Sequence, residues 1–425
     1  MTSSSRIVIT GLGVLAPNAH GLKDFEVALR NCYSGIRHSE LLQKLNFSCQ
    51  VVGVPQNIDT LKQQYLSTQS LMAMNSSMIF AAIAAIDCWR DAGFKLIDPS
   101  ENIIDWDTGA IIGTGVGGCE TIGGPVAQFT DQGKVKRLGS TMVEQAMSSA
   151  ASANVGGLLG LGGQVTTNSS ACSTGTEAII NAFWAIKAKR AKRMLAGATE
   201  GASQYTWATF DAMRVLARGF NDTPQQASRP MSQTASGFVP GSGAGVLMLE
   251  SLESAEERGA KIYAEIIGVH VNCGGQRNGG SISAPNPAGV VRCIQEAITM
   301  AKINYKDIDL INGHLTATMA DTLEINNWQK ALKCQPSELP PINSTKSLIG
   351  HSLGAAGAIE CVASILQLCK GFIHGSINCE DLHFKLEQFS DSIIHKTKET
   401  DLNVLAKASF GFGDVNACLI FKRWN

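Results

Sequence analysis

Gly109 to Gly118 reads GAIIGTGVGG, an apolar run that empties into a glycine-rich turn. Such a run is the signature of a buried strand that delivers the chain to a tight turn. The same grammar recurs on both sides. Arg6 to Leu12 (RIVITGL) is a β-branched run closed by glycine, and Gly243 to Ser251 (GAGVLMLES) reads as a strand closing a first half. Between them, Phe25 to Leu29 and Leu71 to Trp89 have helical spacing. Lys261 to Val269 opens a second series: strand, helix over Ala288 to Ala301, strand at Ile308 to Ile311, turn, helix. This alternation predicts an α/β layered fold. We expect an N-terminal half over 1–250 and a C-terminal half over 251–425, inferred from rhythm alone because no sequence repeat is visible.

The chain has 425 residues, 44% of them hydrophobic, with 43 glycines. That is enough to bury a large core, and it disfavours disorder. Lys plus Arg is 35 and Asp plus Glu is 36, so there is no generic attraction to nucleic acid. No membrane-spanning segment is expected; the nearest apolar run, Met78 to Ile86, stops at Asp87. The N-terminus, MTSSSRIVITGLG, does not read as a secretion signal. Twelve cysteines without a CxxC pair argue against a disulfide framework or a zinc ribbon, and point to a reducing, cytoplasmic setting.

Asn168 to Ala178 (NSSACSTGTEA) sets Cys172 between a strand end and a helix whose apolar face is Ala178, Ile179, Ala182, Phe183 and Ile186. Small neighbours allow a tight turn at a helix start, where unpaired N–H groups favour thiolate over thiol. The sequence therefore predicts a lowered thiol pKa. Equally, Cys172 reads as one buried cysteine among the twelve. His314 lies in INGHLTATMAD, directly after an apolar strand; His351 lies in NSTKSLIGHSLGAAGAIE, with Lys346 five residues before it and Glu360 nine after. These two histidines sit among glycines and small polar residues, whereas His20, His38, His374, His383 and His395 read as ordinary loop or surface residues. A fourth loop, Ser409 to Asn416 (SFGFGDVN), places Phe410 and Phe412 beside Gly411 and Gly413, as either a gate or a simple hairpin.

With these residues in hand, the chain resembles the β-ketoacyl-acyl-carrier-protein synthases, in particular the elongating Cys-His-His group of the thiolase-like superfamily. The likeness runs from RIVITGLGVLAPNAHG to ACLIFKR, with STKSLIGHSLGAAGAIE its most specific segment. It implies a five-layered α/β/α/β/α fold and a dimer, homodimeric or paired with a paralogue. It also implies condensation of an acyl group with malonyl carrier protein, no metal, and no cofactor beyond the carrier's phosphopantetheine. Cys172 matches the acylated nucleophile, His314 and His351 the catalytic histidines, and Lys346 the active-site lysine. Glu360 matches the buried carboxylate, a distant partner of Lys346. Thr316 and Thr318 match threonines that bind the pantetheine arm, with Phe410 beside them. Phe412 matches the gating phenylalanine, and its N–H with that of Cys172 the oxyanion hole. Lys134, Lys136, Arg137, Arg214 and Arg218 remain as carrier-docking residues, since Gln69 to Ser77 is neutral where many relatives are basic.

Departures stand beside the matches. Leu315 replaces a glycine after His314, and Asp321 arrives one residue early. Ser236 and Ser242 replace acidic residues of an expected ion-pair network, and Asp414 replaces a glycine that would let the gate open. Together they suggest a specialised synthase, of polyketide or polyene type. Retention of Cys172 disfavours a non-catalytic chain-length-factor-like partner, and a thiolase would need a second cysteine in the SFGFGDVN loop. An initiating synthase would carry asparagine at His351, and a cysteine hydrolase needs only one base.

Overall fold

The computed structural model describes residues 6–424; the reading of the N-terminal signal falls partly on residues 1–5, outside the described residues. An eleven-stranded sheet runs through the molecule. Ten of its strands matter below: β1 (Ile7–Ala16), β2 (Thr108–Gly113), β3 (Val165–Thr166), β4 (Arg193–Glu200), β5 (Gly243–Ser251), β6 (Ala264–Cys273), β7 (Leu310–Asn312), β8 (Ile342–Asn343), β9 (Val404–Gly411) and β10 (Val415–Arg423). Their order is β8-β7-β9-β10-β6-β1-β5-β4-β2-β3. Around β2 the pairs to β3 and β4 are parallel, while β4–β5 and β5–β1 are antiparallel. Around β7 the pairs to β8 and β9 are parallel, while β9–β10 and β10–β6 are antiparallel. The two five-strand sets thus repeat one topology, which the sequence rhythm suggested. They meet edge to edge at Val8–Glu265 and Ile9–Ala264.

Helices cover the sheets in three tiers. α1 (Ser76–Asp91) and α2 (Ala150–Leu159) pack on the outer face of the first set, building a core with Val155, Leu195 and Met248. α4 (Pro287–Ala301) and α5 (Ala320–Leu332) do the same on the second set, with Ile294, Trp328 and Ile420. Between the sheets lie α3 (Thr174–Lys187) and α6 (Ala356–Lys370), wrapped by a third apolar cluster that includes Ile179, Phe183, Ile359 and Val362. That gives five layers. The central strands are buried on both faces, so β1, β2 and β9 read as continuous rather than alternating apolar runs.

α3 and α6 cross with almost no side chain between them. A Cβ on Gly175 would sit 2.5 Å from the Ala358 nitrogen, and one on Gly357 would sit 2.3 Å from Thr176 Oγ1. The helix that carries Glu360 also corrects the search for apolar segments. Leu353–Lys370 spans 18 residues at mean hydropathy 1.4, longer than the Met78–Ile86 run, and 89% of it is buried inside the protein. Its apolarity serves contact with two sheets at once.

Gly357→Ala should destabilise the fold: overpacking of about 1–3 kcal/mol outweighs the roughly 1 kcal/mol that alanine adds in a helix. Chemical denaturation measures it, and unchanged stability would mean the two helices have room to separate.

Candidate active site

The N-termini of the two central helices meet. Ahead of α3, Ala171–Ser173 forms a single 3-10 turn in which Ala171 takes φ 49°, a left-handed value that an alanine holds only under constraint. Thr174 supplies the constraint: its hydroxyl accepts from the Ser170 N–H at 2.9 Å and donates to the Ala171 carbonyl at 2.7 Å. The Ser173 hydroxyl points at the carbonyls of Ser409 (3.2 Å) and Val415 (3.0 Å), fastening the turn to the β9–β10 hairpin. Cys172 is thereby held in a buried position, its thiol taking a hydrogen bond from the Phe412 N–H.

One side-chain atom each of Cys172, His314 and His351 lies within 4.8 Å of the other two, although more than a hundred residues separate the cysteine from either ring. The rings are edge-to-face, with centroids 5.4 Å apart. Their tautomers follow from their partners. The Leu353 N–H, which can only donate, lies 3.2 Å from His351 Nδ1. The Lys346 ammonium, also a pure donor, lies 3.3 Å from His314 Nδ1. Both Nδ1 atoms accept, so both protons sit on Nε2. Sulfur and two imidazoles are zinc-type donors, but protonated Nε2 atoms offer donors rather than lone pairs. With both Nδ1 atoms engaged, the trio is set up to hydrogen-bond an oxygen.

Burial, reinforced by Lys346, holds His314 and His351 well below the usual histidine range, hence neutral. Burial also pushes the Cys172 thiol up to about 11, with Lys346 and the Phe412 N–H working the other way. This corrects the sequence expectation of a lowered thiol pKa: desolvation in the closed core outweighs the helix-start field. Deprotonation has to come from a neighbouring base when substrate arrives. Lys346 spends all three of its protons, on His314 Nδ1, on the His314 carbonyl (2.7 Å) and on Glu360 Oε1 (2.5 Å). Glu360 is therefore in direct contact with Lys346, not the distant partner expected, and Lys346 serves His314 rather than its sequence neighbour His351.

The shortened His314 loop still closes. Asp321 accepts from the N–H groups of Thr316 (2.7 Å), Ala317 (3.1 Å) and Met231 (2.8 Å). Glu324 accepts from those of His314 (2.6 Å) and Leu315 (2.8 Å). Leu315 turns into the apolar core of the second set, so losing glycine there leaves the cavity unobstructed. Thr316 and Thr318 stand half-buried on the same loop, their hydroxyls 3.0 Å apart. Phe410 lies 6.2 Å from the His314 ring, and Phe412 rests against Phe210 at the same centroid separation. The loop forms the hairpin that the sequence offered as one of its two readings.

Arg214 and Arg218 are exposed on the segment whose Leu216 and Ala217 pair with Phe238, and Phe238 packs on His351. Lys134, Lys136 and Arg137 are exposed on a separate stretch. Ser236 replaces its expected ion pair by bonding both the Arg218 N–H and carbonyl, at 2.9 Å each. Among the described residues, the hydroxyl of Ser242 is buried without a hydrogen-bond partner. His374, read as a surface residue, is fully buried, bonded to Thr345 Oγ1 at 3.0 Å and pushed by burial to about 4.

Three residues escaped the sequence reading. Glu200 accepts from the N–H groups of Gly115 (2.9 Å) and Gly354 (3.0 Å), joining the opening glycine turn to the start of α6; burial raises its carboxyl to about 7. Glu324 was hidden on an unremarkable helix. Lys407 lies fully buried in β9, and its Nζ is 2.9 Å from Glu360 Oε2. A lysine inside an otherwise apolar strand was the available signal, since a lysine is buried only with a partner.

Asp414 holds φ 63° and is fully buried. Its carboxylate accepts from the N–H groups of Gln276 (2.8 Å) and Asn286 (2.7 Å), pinning the hairpin turn to the 274–286 segment. Asp414→Gly removes that tie and relieves the backbone, so iodoacetamide should label Cys172 about tenfold faster, a change of about 1.4 kcal/mol in opening. An unaltered rate would mean that the turn is held elsewhere. In the wild type, alkylation of Cys172 should climb nearly tenfold per unit between about pH 7 and about pH 9, because a thiol of pKa about 11 is still far from titrated there. A plateau within that window would show a preformed thiolate.

Comparison with known proteins agrees with this geometry. Residues 4–255 match the family described as "Beta-ketoacyl synthase, N-terminal domain", and residues 263–380 its C-terminal domain. The chain is 33% identical over 430 residues to the 3-oxoacyl-[acyl-carrier-protein] synthase 2 of Rhizobium meliloti and 31% identical over 423 residues to that of Vibrio harveyi, each covering 99% of both chains. Among solved structures, the ishigamide ketosynthase/chain length factor superposes with TM-score 0.89 at 25% identity, covering 100% of both chains. The ketosynthase AntDE, in complex with its type II polyketide synthase acyl-carrier protein AntF, superposes with TM-score 0.87 at 27% identity, covering 99% of this chain and 100% of that one. A duplicated, five-layered sheet with a cysteine and two neutral imidazoles at its centre, matched from end to end by such relatives, places the chain in the β-ketoacyl synthase family.

Proposed function

We propose that the protein catalyses decarboxylative Claisen condensation between an acyl group on Cys172 and malonyl-acyl carrier protein. In the first step the Cys172 sulfur attacks the carrier thioester, the carbon–sulfur bond to the pantetheine breaks, and the proton that Cys172 gives up ends on the departing pantetheine sulfur. The N–H groups of Cys172 and Phe412 receive the oxyanion. In the second step the malonyl carbon–carboxylate bond breaks and carbon dioxide leaves. The electron pair becomes an enolate, whose oxygen faces the Nε2–H donors of His314 and His351. Neutral imidazoles suit this task because they donate without a mobile acidic proton that would quench the carbanion. In the third step the enolate carbon attacks the Cys172 thioester, the carbon–sulfur bond breaks, and a 3-ketoacyl carrier product leaves. No group beyond the phosphopantetheine of the carrier is required.

The observation that carries this reading is the convergence of Cys172, His314 and His351, one side-chain atom of each within 4.8 Å of the other two, with both Nδ1 atoms engaged by donors. Thr316 and Thr318 are assigned to the pantetheine arm, and Gly411 and Gly413 to the swing of Phe412. Arg214 and Arg218, flanking the wall of the histidine site, are assigned to the acidic carrier protein ahead of Lys134, Lys136 and Arg137. β3 leaves one edge unpaired at the rim of the sheet, beside the half-exposed Trp184. A second chain of this fold, another copy or a paralogue, adding its own β3 there would remove that edge. The neutral stretch Gln69–Ser77 and the pinned Asp414 fit a specialised polyketide or polyene substrate.

Mass spectrometry of products from the purified enzyme, malonyl carrier protein and a ladder of acyl primers tests the reaction. Cys172→Ala should abolish condensation yet still release carbon dioxide from malonyl carrier protein, whereas His314→Ala and His351→Ala should each slow that release by about 10²–10³. Absence of condensation with every primer would overturn the reading in favour of a partner subunit.

A further inference from the structure

Glu360 is fully buried, and each of its oxygens faces a different lysine: Oε1 the Nζ of Lys346 at 2.5 Å, Oε2 the Nζ of Lys407 at 2.9 Å. Both lysines are buried, at 1% and 0% exposure. Lys407 donates to the Ala408 carbonyl and to Ser409 Oγ at 3.1 Å, and meets Glu360 Oε2 as an ion pair rather than a hydrogen bond. Ser409 Oγ continues to Thr176 Oγ1 on α3 at 2.8 Å, and the Ser409 carbonyl receives the Ser173 hydroxyl at 3.2 Å. The chain Lys346–Glu360–Lys407–Ser409–Thr176 therefore runs from the back of His314 to the helix that starts at the nucleophile. Two ammonium groups and one carboxylate leave an excess positive charge in a place where a single lysine would balance Glu360.

We propose that Lys407 is a positioning residue for the condensation site: it shares Glu360 with Lys346, ties that carboxylate to the gating strand and the nucleophile's helix, and supplies a second buried positive charge behind the two imidazoles. The groups that face those rings are few. Beyond burial, Lys346 and Lys407 both disfavour a proton on either ring, and His351 disfavours one on His314. Glu360 is occupied by the two lysines, Glu324 by the N–H groups of the His314 loop, and Glu200 by Gly115 and Gly354. Asp321 is bound to backbone of the same loop, and Cys172 carries its proton. No free carboxylate is left to favour an imidazolium, so removing one ammonium shifts the balance toward protonation. A protonated His314 would turn an Nδ1–H against the Lys346 ammonium and break the contact that orients the ring.

The inference rests on the condensation mechanism above, and the test separates the two. Lys407→Gln keeps hydrogen-bonding capacity without the charge; Lys407→Met removes both and leaves Glu360 paired with Lys346. Malonyl carrier protein decarboxylation is followed from about pH 5 to about pH 8 for wild type and both variants, and histidine carbon-13 signals are titrated in parallel. Removing one charge at this range should raise the acid midpoint and the His314 and His351 titrations by about one unit, so that the variants lose rate at the acid end that the wild type keeps. If either folded variant is slower by one factor at every pH, with titrations superposable on the wild type, Lys407 is merely structural and the proposal fails. No decarboxylation by the wild type at any pH would instead bring down the mechanism. Histidine signals that still move by the expected amount would in that case uphold the electrostatic role of Lys407 on their own.

Discussion

The molecule depends on the close crossing of α3 and α6. Because Gly175 meets Ala358 and Gly357 meets Thr176 with no side chain interposed, the two helices sandwich tightly between the sheets. Their N-terminal ends then fall at one point. Cys172 precedes one helix, His351 precedes the other, and Glu360 sits one turn into the second. The His314 loop reaches the same point from the parallel strand β7, and the β9–β10 hairpin closes it from the side. A single packing constraint thus assembles a site from four distant stretches of chain.

Once assembled, the site is governed by desolvation. The fold surrounds the sulfur and both rings with protein, and burial acts on each in its own direction: the thiol keeps its proton, the imidazoles refuse one. The nucleophile rests protonated and the histidines rest as neutral donors. Charge is admitted where it can be compensated, as in the Lys346–Glu360–Lys407 cluster, where each lysine ion-pairs with one oxygen of Glu360. Such a cluster contributes little net stability, since desolvation consumes the Coulomb gain. What it secures is the orientation of His314.

The departures from the family pattern turn out to be local repairs rather than losses. A shorter His314 loop is held shut by Asp321, and Leu315 finds the core. Ser236 substitutes two backbone hydrogen bonds for an ion pair, while Ser242 substitutes nothing. Asp414 exchanges a glycine's freedom for an anchor onto the 274–286 segment. In each case the change alters how firmly the walls of the cavity are held and leaves the reacting groups alone.

The sequence alone established the layered α/β class, because strands buried on both faces leave unmistakable apolar runs. It also marked Cys172, His314, His351 and Lys346, because each sits on a glycine-flanked turn where function and geometry leave the same trace. The partner of Lys346 and the identity of its histidine were decided by tertiary structure, since spacing along the chain does not say which loops the crossing helices bring together. The same holds for Lys407, Glu200 and Glu324: a buried charge is defined by who faces it, and that is a property of packing. The thiol's protonation followed this rule too, for a helix start acts on its own residue, whereas burial is the work of the whole fold.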